Sequence, residues 1–423
     1  MSPSSWPACA LSLPPGSFLR RAALCLVGLA ALAACAPIVV ISPPPAVTPA
    51  GEETAPPPTP TTAPARPTRE VSVTLPAPSP VSSRDPRLWP FSSDSIWNRP
   101  IGSGAVYAPT GFGPFSMDGI TADEDILILA PEAPLTEVYL NQAGWSGDNR
   151  CLKQGELLER LPIPADFVYA HTSGTPNASA AILMPDGRTL KQNQPFHRCQ
   201  AGSYATTGYI YPSVDLCGDG TQGAHGGSGL SSIGGTIRLG ELVPGGVIHH
   251  ALKAEVFANL TLYYGPDRPG YRWPAVQADG YAADPHSPLR YNGKNPAAVM
   301  GALLALPPDF AVDTLRTEPA RIIARALQAY GAYIVDDTAW GVFALATERS
   351  PEGSVADEFA RTWGYLFDKT GIVYCTTETP DCLWARDMHQ VYLALRIVDN
   401  NSAETPGGGG APLVPPAPPV ACP

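Results

Sequence analysis

The residues best equipped for chemistry gather in one stretch of the chain, residues 218–253. There, Gly223-Ala224-His225-Gly226-Gly227-Ser228-Gly229 sets an imidazole and a hydroxyl in a glycine-rich segment, whose backbone reaches angles closed to other residues. Arg238 and Glu241 follow, and then the pair His249-His250. An imidazole titrates near neutral pH and moves protons, while a planar guanidinium grips carboxylates or sugar hydroxyls. The expectation is that His225, Arg238, Glu241 and His250 surround one cleft, with His225 or His250 as base and Arg238 and Glu241 orienting a substrate. Ser228, Trp273 and Trp340 are the candidate substrate-binding groups, the indoles as platforms for sugar rings. The plainer alternative is a strained loop between strands, its histidines satisfied in a core.

Other chemistries lack their signatures. No Lys-Ser or Lys-Thr follows the glycines at the spacing of a phosphate loop. Gly226-Gly227-Ser228-Gly229-Leu230 is not the G-x-S-x-G elbow of a hydrolase. No two cysteines stand at the C-x-x-C spacing of a zinc site, so neither a metal nor a cofactor is expected. Asp336-Asp337 has the look of a catalytic carboxylate pair, but neighbours in a strand point to opposite faces. The two are therefore expected at a strand end, not in one site.

The framework reads as β over the first two-thirds. Residues 126–130, 137–142 and 167–171 are short runs of β-formers separated by Pro, Gly and Asp. Residues 180–184 and 188–192, joined by Pro185-Asp186-Gly187, form a hairpin signal, because Asp-Gly accepts the angles of tight turns. Residues 235–242 and 249–257 read as another strand pair. Alternation along the second of these puts His250, Leu252, Ala254 and Val256 on one face and His249, Lys253 and Glu255 on a wet one. Helices are expected after about residue 295: one from Asn295-Pro296 through Leu304, and one after Thr317-Glu318-Pro319 that stops at Gly331. A third is capped by Ser354 with Asp357, and a last one carries Trp384, Met388, Val391, Tyr392 and Leu395. The fold class is mainly β with C-terminal helices, a β-sandwich or jelly-roll-like domain.

A net charge of −11 with only 15% charged residues argues against nucleic acid, which needs a basic footprint, and disfavours strongly anionic polysaccharide. Prolines crowd residues 43–80, so residues 35–84 read as an extended linker. Residues 402–423, rich in Gly and Pro, read as a disordered tail, leaving residues 85–401 as the globular part. Six cysteines fall beyond the linker, an even count that reads as disulfides in an exported chain. Cys375 and Cys382 close a short loop and are expected to pair. Cys151, Cys199 and Cys217 compete for one bond, the third joining Cys422 or staying free.

Arg20-Arg21, the apolar run of residues 22–31 and Leu32-Ala33-Ala34-Cys35 have the parts of an export signal. The last four resemble the lipobox of bacterial lipoproteins. The resemblance implies a signal peptide over residues 1–34, a diacylglycerol on the Cys35 thiol, and an extracytoplasmic protein anchored to the cell membrane or outer membrane. Three further stretches resemble a group of secreted bacterial proteins sharing an HGGSGLSxxGGxIRxGEL pattern. They are Ser95-Ile96-Trp97-Asn98-Arg99-Pro100-Ile101, the run from Gly223 through Glu241 to Leu252, and Tyr330 to Asp337. That resemblance implies one continuous domain, with His225, Arg238, Glu241, His250 and Asp336 as its recurrent polar positions.

Two functional readings stand. One is a surface enzyme that cleaves polysaccharide, a lyase or glycoside hydrolase. The other is a non-catalytic surface lipoprotein that binds glycan or envelope material, with its histidines buried apart.

Overall fold

A computed structural model describes residues 83–145, 149–170 and 176–422. The signal segment, Cys35 and all but the end of the proline-rich linker lie outside the described residues. No helix among the described residues is long and apolar enough to cross a membrane.

The protein is mainly β with its helices toward the C-terminus, a β-sandwich-like arrangement that matches the expected class. The strands are β1 (Tyr107–Pro109), β2 (Gly119–Ile128), β3 (Leu135–Leu140), β4 (Leu157–Pro162), β5 (Ala180–Leu183) and β6 (Thr189–Gln194). Next come β7 (Ala205–Thr207), β8 (Tyr209–Asp215), β9 (Gln222–His225), β10 (Leu252–Val256) and β11 (Leu303–Ala305). The last are β12 (Ala332–Asp337), β13 (Phe343–Ser350), β14 (Gly353–Ser354), β15 (Lys369–Thr370) and β16 (Arg396–Val398). The large sheet runs β1-β16-β11-β12-β10-β13-β2-β5-β6-β8, and a small sheet runs β4-β3-β7. At the centre of the large sheet, β10 pairs with β12 in parallel, as do β13 with β2 and β2 with β5.

Local signals formed as expected. β5 and β6 make the hairpin around Asp186-Gly187, where Gly187 has φ of 69°. After the one-turn helix α1 (Ala258–Thr261), helix α2 (Glu318–Ala329) has proline in its first turn and is followed by Gly331 at φ 76°. Helix α3 (Val355–Trp363) is capped by the Ser354 hydroxyl, which accepts the Asp357 N–H at 3.1 Å. With α4 (Pro380–Ala394), these helices bury Ile323, Leu327, Phe359, Trp384, Met388 and Tyr392 against Leu252, Ala254, Ile334 and Leu345 on one face of the sheet.

Other expectations are corrected. Residues 235–242 are not a strand; they fold tightly over the Trp97 indole, and a Cβ on Gly234 or Gly235 would come within 2.3 and 2.6 Å of that ring. The strand after them starts at Leu252, not His249. Of the run 167–171, residues 167–170 supply only an isolated bridge, Tyr169 to Arg198, and His171 lies outside the described residues. No helix follows Asn295-Pro296: Gly301 stands at φ 77°, where a Cβ would come within 2.2 Å of the Arg272 carbonyl oxygen, and the chain turns there into β11. Val299, Met300, Leu303 and Leu304 are core residues nonetheless.

The supposed wet face of β10 is dry. Lys253 is fully buried and Glu255 is 2% exposed. β10 lies between β12 and β13 and is covered on both faces, so alternation along it separates two interiors rather than core from solvent.

The C-terminal segment is part of the fold. Leu413 N–H donates to the Ile101 carbonyl, Arg84 bridges Val420, and Val414 and Ala417 are buried. Among the described residues three disulfides form: Cys151–Cys199, Cys217–Cys422 and Cys375–Cys382. The first two settle the competition left open by spacing, and the second fastens the tail.

Candidate functional site

The second face of the central strands carries a buried network of charge. Asp125 of β2, His225 at the end of β9 and Lys253 of β10 are each at most 1% exposed. Lys253 Nζ lies 2.6 Å from Asp125 Oδ2, 3.0 Å from His225 Nε2 and 3.0 Å from the Ser231 carbonyl. Asp125 also meets His225 Nε2 at 2.9 Å and accepts the Thr236 hydroxyl at 2.7 Å. Burial alone would drive the Asp125 carboxyl up, but Lys253 and His225 overcome it and hold it below its usual range. Burial and Lys253 oppose charge on His225, yet Asp125 and Asp336 outweigh them and hold the imidazole above its ordinary value. Lys253 is pushed down by burial despite Asp125.

β12 turns this network toward a cavity. Its register against β10 jumps, Ala254 opposite Ile334 and Glu255 opposite Asp336, so Val335 has no opposite residue. Such a bulge re-aims the side chains beyond it. Asp336 thus comes within 3.6 Å of His225 Nδ1, and Asp336 and Asp337 line one cavity together. The expectation that adjacent aspartates could not share a site is corrected by this extra residue.

The cavity has a volume of about 620 Å³, within the range of ligand sites. Trp145, Tyr209, Tyr211 and Tyr281 supply aromatic surface, and Trp145 stacks with Tyr209 at 5.7 Å between ring centres. Gly226 and Gly227 form part of the wall. A Cβ on Gly227 would stand 2.6 Å from Asp336 Oδ1, so only glycine lets the loop approach that carboxyl. Opposite, the segment around Val276 is fastened to the glycine-rich loop by Val276 N–H to the Ser228 carbonyl at 3.0 Å and by Gln277 Nε2 to the Gly226 carbonyl. That segment presents Asp279, whose Oδ2 accepts the Tyr291 hydroxyl at 2.6 Å. Burial, reinforced by Asp336, holds Asp279 well above the usual carboxylate range. Burial raises Asp337 to about 7, even though it accepts the Ala258 N–H at 2.7 Å and the Tyr281 hydroxyl at 3.1 Å.

A second cavity of about 410 Å³ shares Asn177 and residues 337–339 with the first. Asp123 and Glu255 line it, and Trp340, 46% exposed, stands at its edge. The two carboxyls lie close enough to act on each other's charge. Burial, with Asp125 adding to it, raises Asp123 to about 6; burial and Asp123 raise Glu255 well above its range.

The anticipated catalytic group divides. Arg238, Glu241 and His250 do meet: Glu241 Oε2 accepts the Arg238 N–H at 2.7 Å and lies 3.2 Å from His250 Nε2, and Arg238 Nε donates to Glu348 at 2.7 Å. Burial opposes charge on His250, but Glu241 raises its pKa above the ordinary value. Arg238 and His250 border a space of only about 10 Å³, one water at most. His225 belongs instead to the Asp125–Lys253 network. Of the candidate binding groups, Ser228 is buried and its hydroxyl accepts the Leu230 N–H at 3.2 Å, so it shapes the loop rather than facing a ligand. Trp273 is half-buried against the cluster of Trp97 and Tyr333, and Trp340 alone of the three reaches a cavity.

Sequence reasoning missed Asp123, Asp125, Lys253, Glu255, Asp279 and Trp145. The signal that could have found Asp123 and Asp125 is the run Asp123-Glu124-Asp125 directly before the apolar residues 126–130, charge set inside a strand pattern. Among the described residues, no group of three or more His, Cys, Asp or Glu is disposed to hold a metal ion. No protein-family profile, curated protein or solved structure matches the chain.

Proposed function

We propose that this is a lipid-anchored cell-surface protein that binds a polysaccharide in the larger cavity and hydrolyses it by acid–base catalysis. The observation that carries the reading is the 620 Å³ cavity in which aromatic rings and the carboxyls of Asp279, Asp336 and Asp337 converge. Sugar rings stack on aromatic faces, and glycosidic bonds are cut between a protonated carboxyl and an ionised one. Asp279 is the proton donor: burial keeps it protonated, and it gives that proton to the glycosidic oxygen as the bond to the anomeric carbon breaks. Asp336, backed by His225 and by the Asp337 N–H at 3.0 Å, draws the proton from the water that adds to that carbon. Asp337 fixes the Tyr281 ring rather than reacting. A lyase is less well served, since abstraction next to a uronate needs a cation to neutralise it, and no Lys or Arg lines either cavity among the described residues. The three disulfides fit an oxidising compartment, in keeping with export and with lipid on Cys35.

The test is release of reducing ends from neutral and amino polysaccharides by the wild type, Asp279→Asn and Asp336→Asn. Loss of turnover by a hundredfold or more in both variants, with the thermal midpoint retained, is the expected result. Unchanged turnover in both would overturn the assignment. The exposed Trp145–Tyr209 stack also fits binding without cleavage, and that reading predicts glycan affinity lost in Trp145→Ala with no products from the wild type.

A further inference from the structure

We infer that His225 is the positioning residue for Asp336: braced by Asp125 and Lys253, it carries a proton on each ring nitrogen and sets a buried imidazolium behind the carboxylate that serves as base. The inference rests on the hydrolytic reading above and adds the groups that give its carboxyls different roles. The ring is fully buried, with Nε2 2.9 Å from Asp125 Oδ1 and Nδ1 3.6 Å from Asp336 Oδ2. The nearer contact is a hydrogen bond, the farther one an ion pair. A neutral imidazole has a single N–H and must turn a bare lone pair on one of these carboxyls, whereas the imidazolium points a proton at each. Lys253 Nζ at 2.6 Å and the Thr236 hydroxyl at 2.7 Å both engage Asp125 Oδ2, which leaves Oδ1 to the imidazole. Lys253 also stands 3.0 Å from Nε2, and its charge opposes that of the ring. Two carboxylates outweigh one ammonium, and with the ring protonated the four charges balance.

The larger cavity needs two carboxyls in opposite states, one giving a proton and one taking it, and unequal surroundings are what separate such a pair. Asp279 accepts the Tyr291 hydroxyl, and burial and Asp336 oppose its charge. Asp336 instead faces the imidazole. No Lys or Arg lines this cavity among the described residues, so positive charge reaches Asp336 from beneath the wall. The fold delivers it there through the bulge of β12, which brings Asp336 to the ring, and through Gly227, whose missing side chain lets the loop close over that carboxyl. The charged groups that act on the ring are Asp125 and, at longer range, Asp123 from β2, Lys253 from β10 and Asp336 from β12. His225, Asp125 and Lys253 are each at most 1% exposed, so none of them touches a substrate and all act through Asp336.

The first arm of the test needs no substrate. Ring-nitrogen NMR of the isotopically labelled, disulfide-intact protein is recorded at pH 7, where an ordinary imidazole, with a pKa of about 6.5, is mostly neutral. The His225 signals are identified through their contacts with Thr236 and Lys253 protons. Both nitrogens should be protonated in the wild type, and Nδ1 should lose its proton in Asp336→Asn. A bare Nδ1 in the wild type, or a ring unchanged in Asp336→Asn, would overturn the inference. The second arm is turnover. An Asn amide nitrogen stands about where Nδ1 does and a Gln amide nitrogen about where Nε2 does, so His225→Asn keeps a donor toward Asp336 and His225→Gln does not. On a polysaccharide that the wild type cleaves, His225→Gln should lower kcat at least tenfold with KM within about twofold, and His225→Asn should recover at least a third of that loss on a logarithmic scale. Equal loss in both variants would show that the ring only supports the wall, and would overturn the inference. The wild-type spectrum decides even if a variant folds poorly. A bare Nδ1 with turnover intact removes the inference and leaves the glycan reading standing, whereas a doubly protonated ring in a protein that cleaves no polysaccharide removes the glycan reading and leaves the imidazolium behind Asp336.

Discussion

Replacing Lys253 by methionine isolates the energetics of the buried network. The change keeps the aliphatic stem and removes an ammonium that contacts Asp125 at 2.6 Å, the Ser231 carbonyl at 3.0 Å and His225 at 3.0 Å. Breaking a buried ion pair by deleting one partner costs about 3–5 kcal/mol, because the other charge is left uncompensated. Here Asp125 keeps the Thr236 hydroxyl at 2.7 Å and His225 at 2.9 Å, so Lys253→Met should fall at the low end, about 3 kcal/mol. Asp125→Asn leaves an ammonium buried with no carboxylate in hydrogen-bond contact and should cost more, about 4–5 kcal/mol. The double variant has neither orphan. Its loss should be smaller than the sum of the two singles by about 2 kcal/mol or more, the signature of groups in one network. Urea unfolding with the disulfides kept oxidised, followed by tryptophan fluorescence, measures all three against the wild type. Additive losses, or single losses below about 1 kcal/mol, would show that the charges do not depend on one another.

Four further outcomes are expected. Loop-closure entropy predicts that losing Cys217–Cys422, with a separation of 205, costs about 5 kcal/mol, against about 2 kcal/mol for Cys375–Cys382, with a separation of 7; paired Cys→Ser variants compared in urea check the order. Thermal stability should peak in weak acid and decline toward pH 8. Burial raises Asp123 to about 6 and Asp337 to about 7, so both favour the folded state when protonated, and that contribution is lost as pH climbs from about 4 through those values. His225, raised by Asp125 against burial, adds loss in the same direction above about 6.5, whereas Asp125, held low, makes stability fall again below about 4; a midpoint still rising at pH 8 would contradict this. Gly227→Ala puts a Cβ 2.6 Å from Asp336 Oδ1 and should lower polysaccharide turnover at least tenfold with only a small change in thermal midpoint. Cys35→Ser should give a protein unlabelled by radioactive palmitate and no longer membrane-bound; equal labelling would refute the anchor.

What the sequence disclosed was local. Asp186-Gly187, the Ser354 cap and Gly331 act within a few residues, so their consequences are legible where they stand. The site depends on distant pairings instead. Lys253 and Glu255 read as solvent-facing because alternation was taken to separate core from water, whereas helices pack against Leu252 and Ala254 and the glycine-rich loop packs against Lys253, so both faces are interior. The aspartate pair read as divided because nothing in Tyr333-Ile334-Val335 announces a bulge; it arises from how β12 meets β10. Arg238, Glu241 and His250 lie together, a turn joining Arg238 to Glu241, but the residue types that suit a catalytic trio equally suit a buried brace. Cys422 could not be assigned because its partner lies 205 residues away.

The junction of Arg84 with the C-terminal segment ties together the two ends of the described fold. Arg84 N–H donates to the Pro419 carbonyl and Ala421 N–H to the Arg84 carbonyl, both at 2.9 Å, and next door Cys422 is bonded to Cys217. Between Cys217 and Cys422 the chain is therefore a covalent ring. A protease that cuts any one exposed bond between residues 217 and 422 opens the ring without releasing a piece, and both fragments stay joined and packed. Such a molecule tolerates being nicked once, and only a second cut inside the ring would shed part of it.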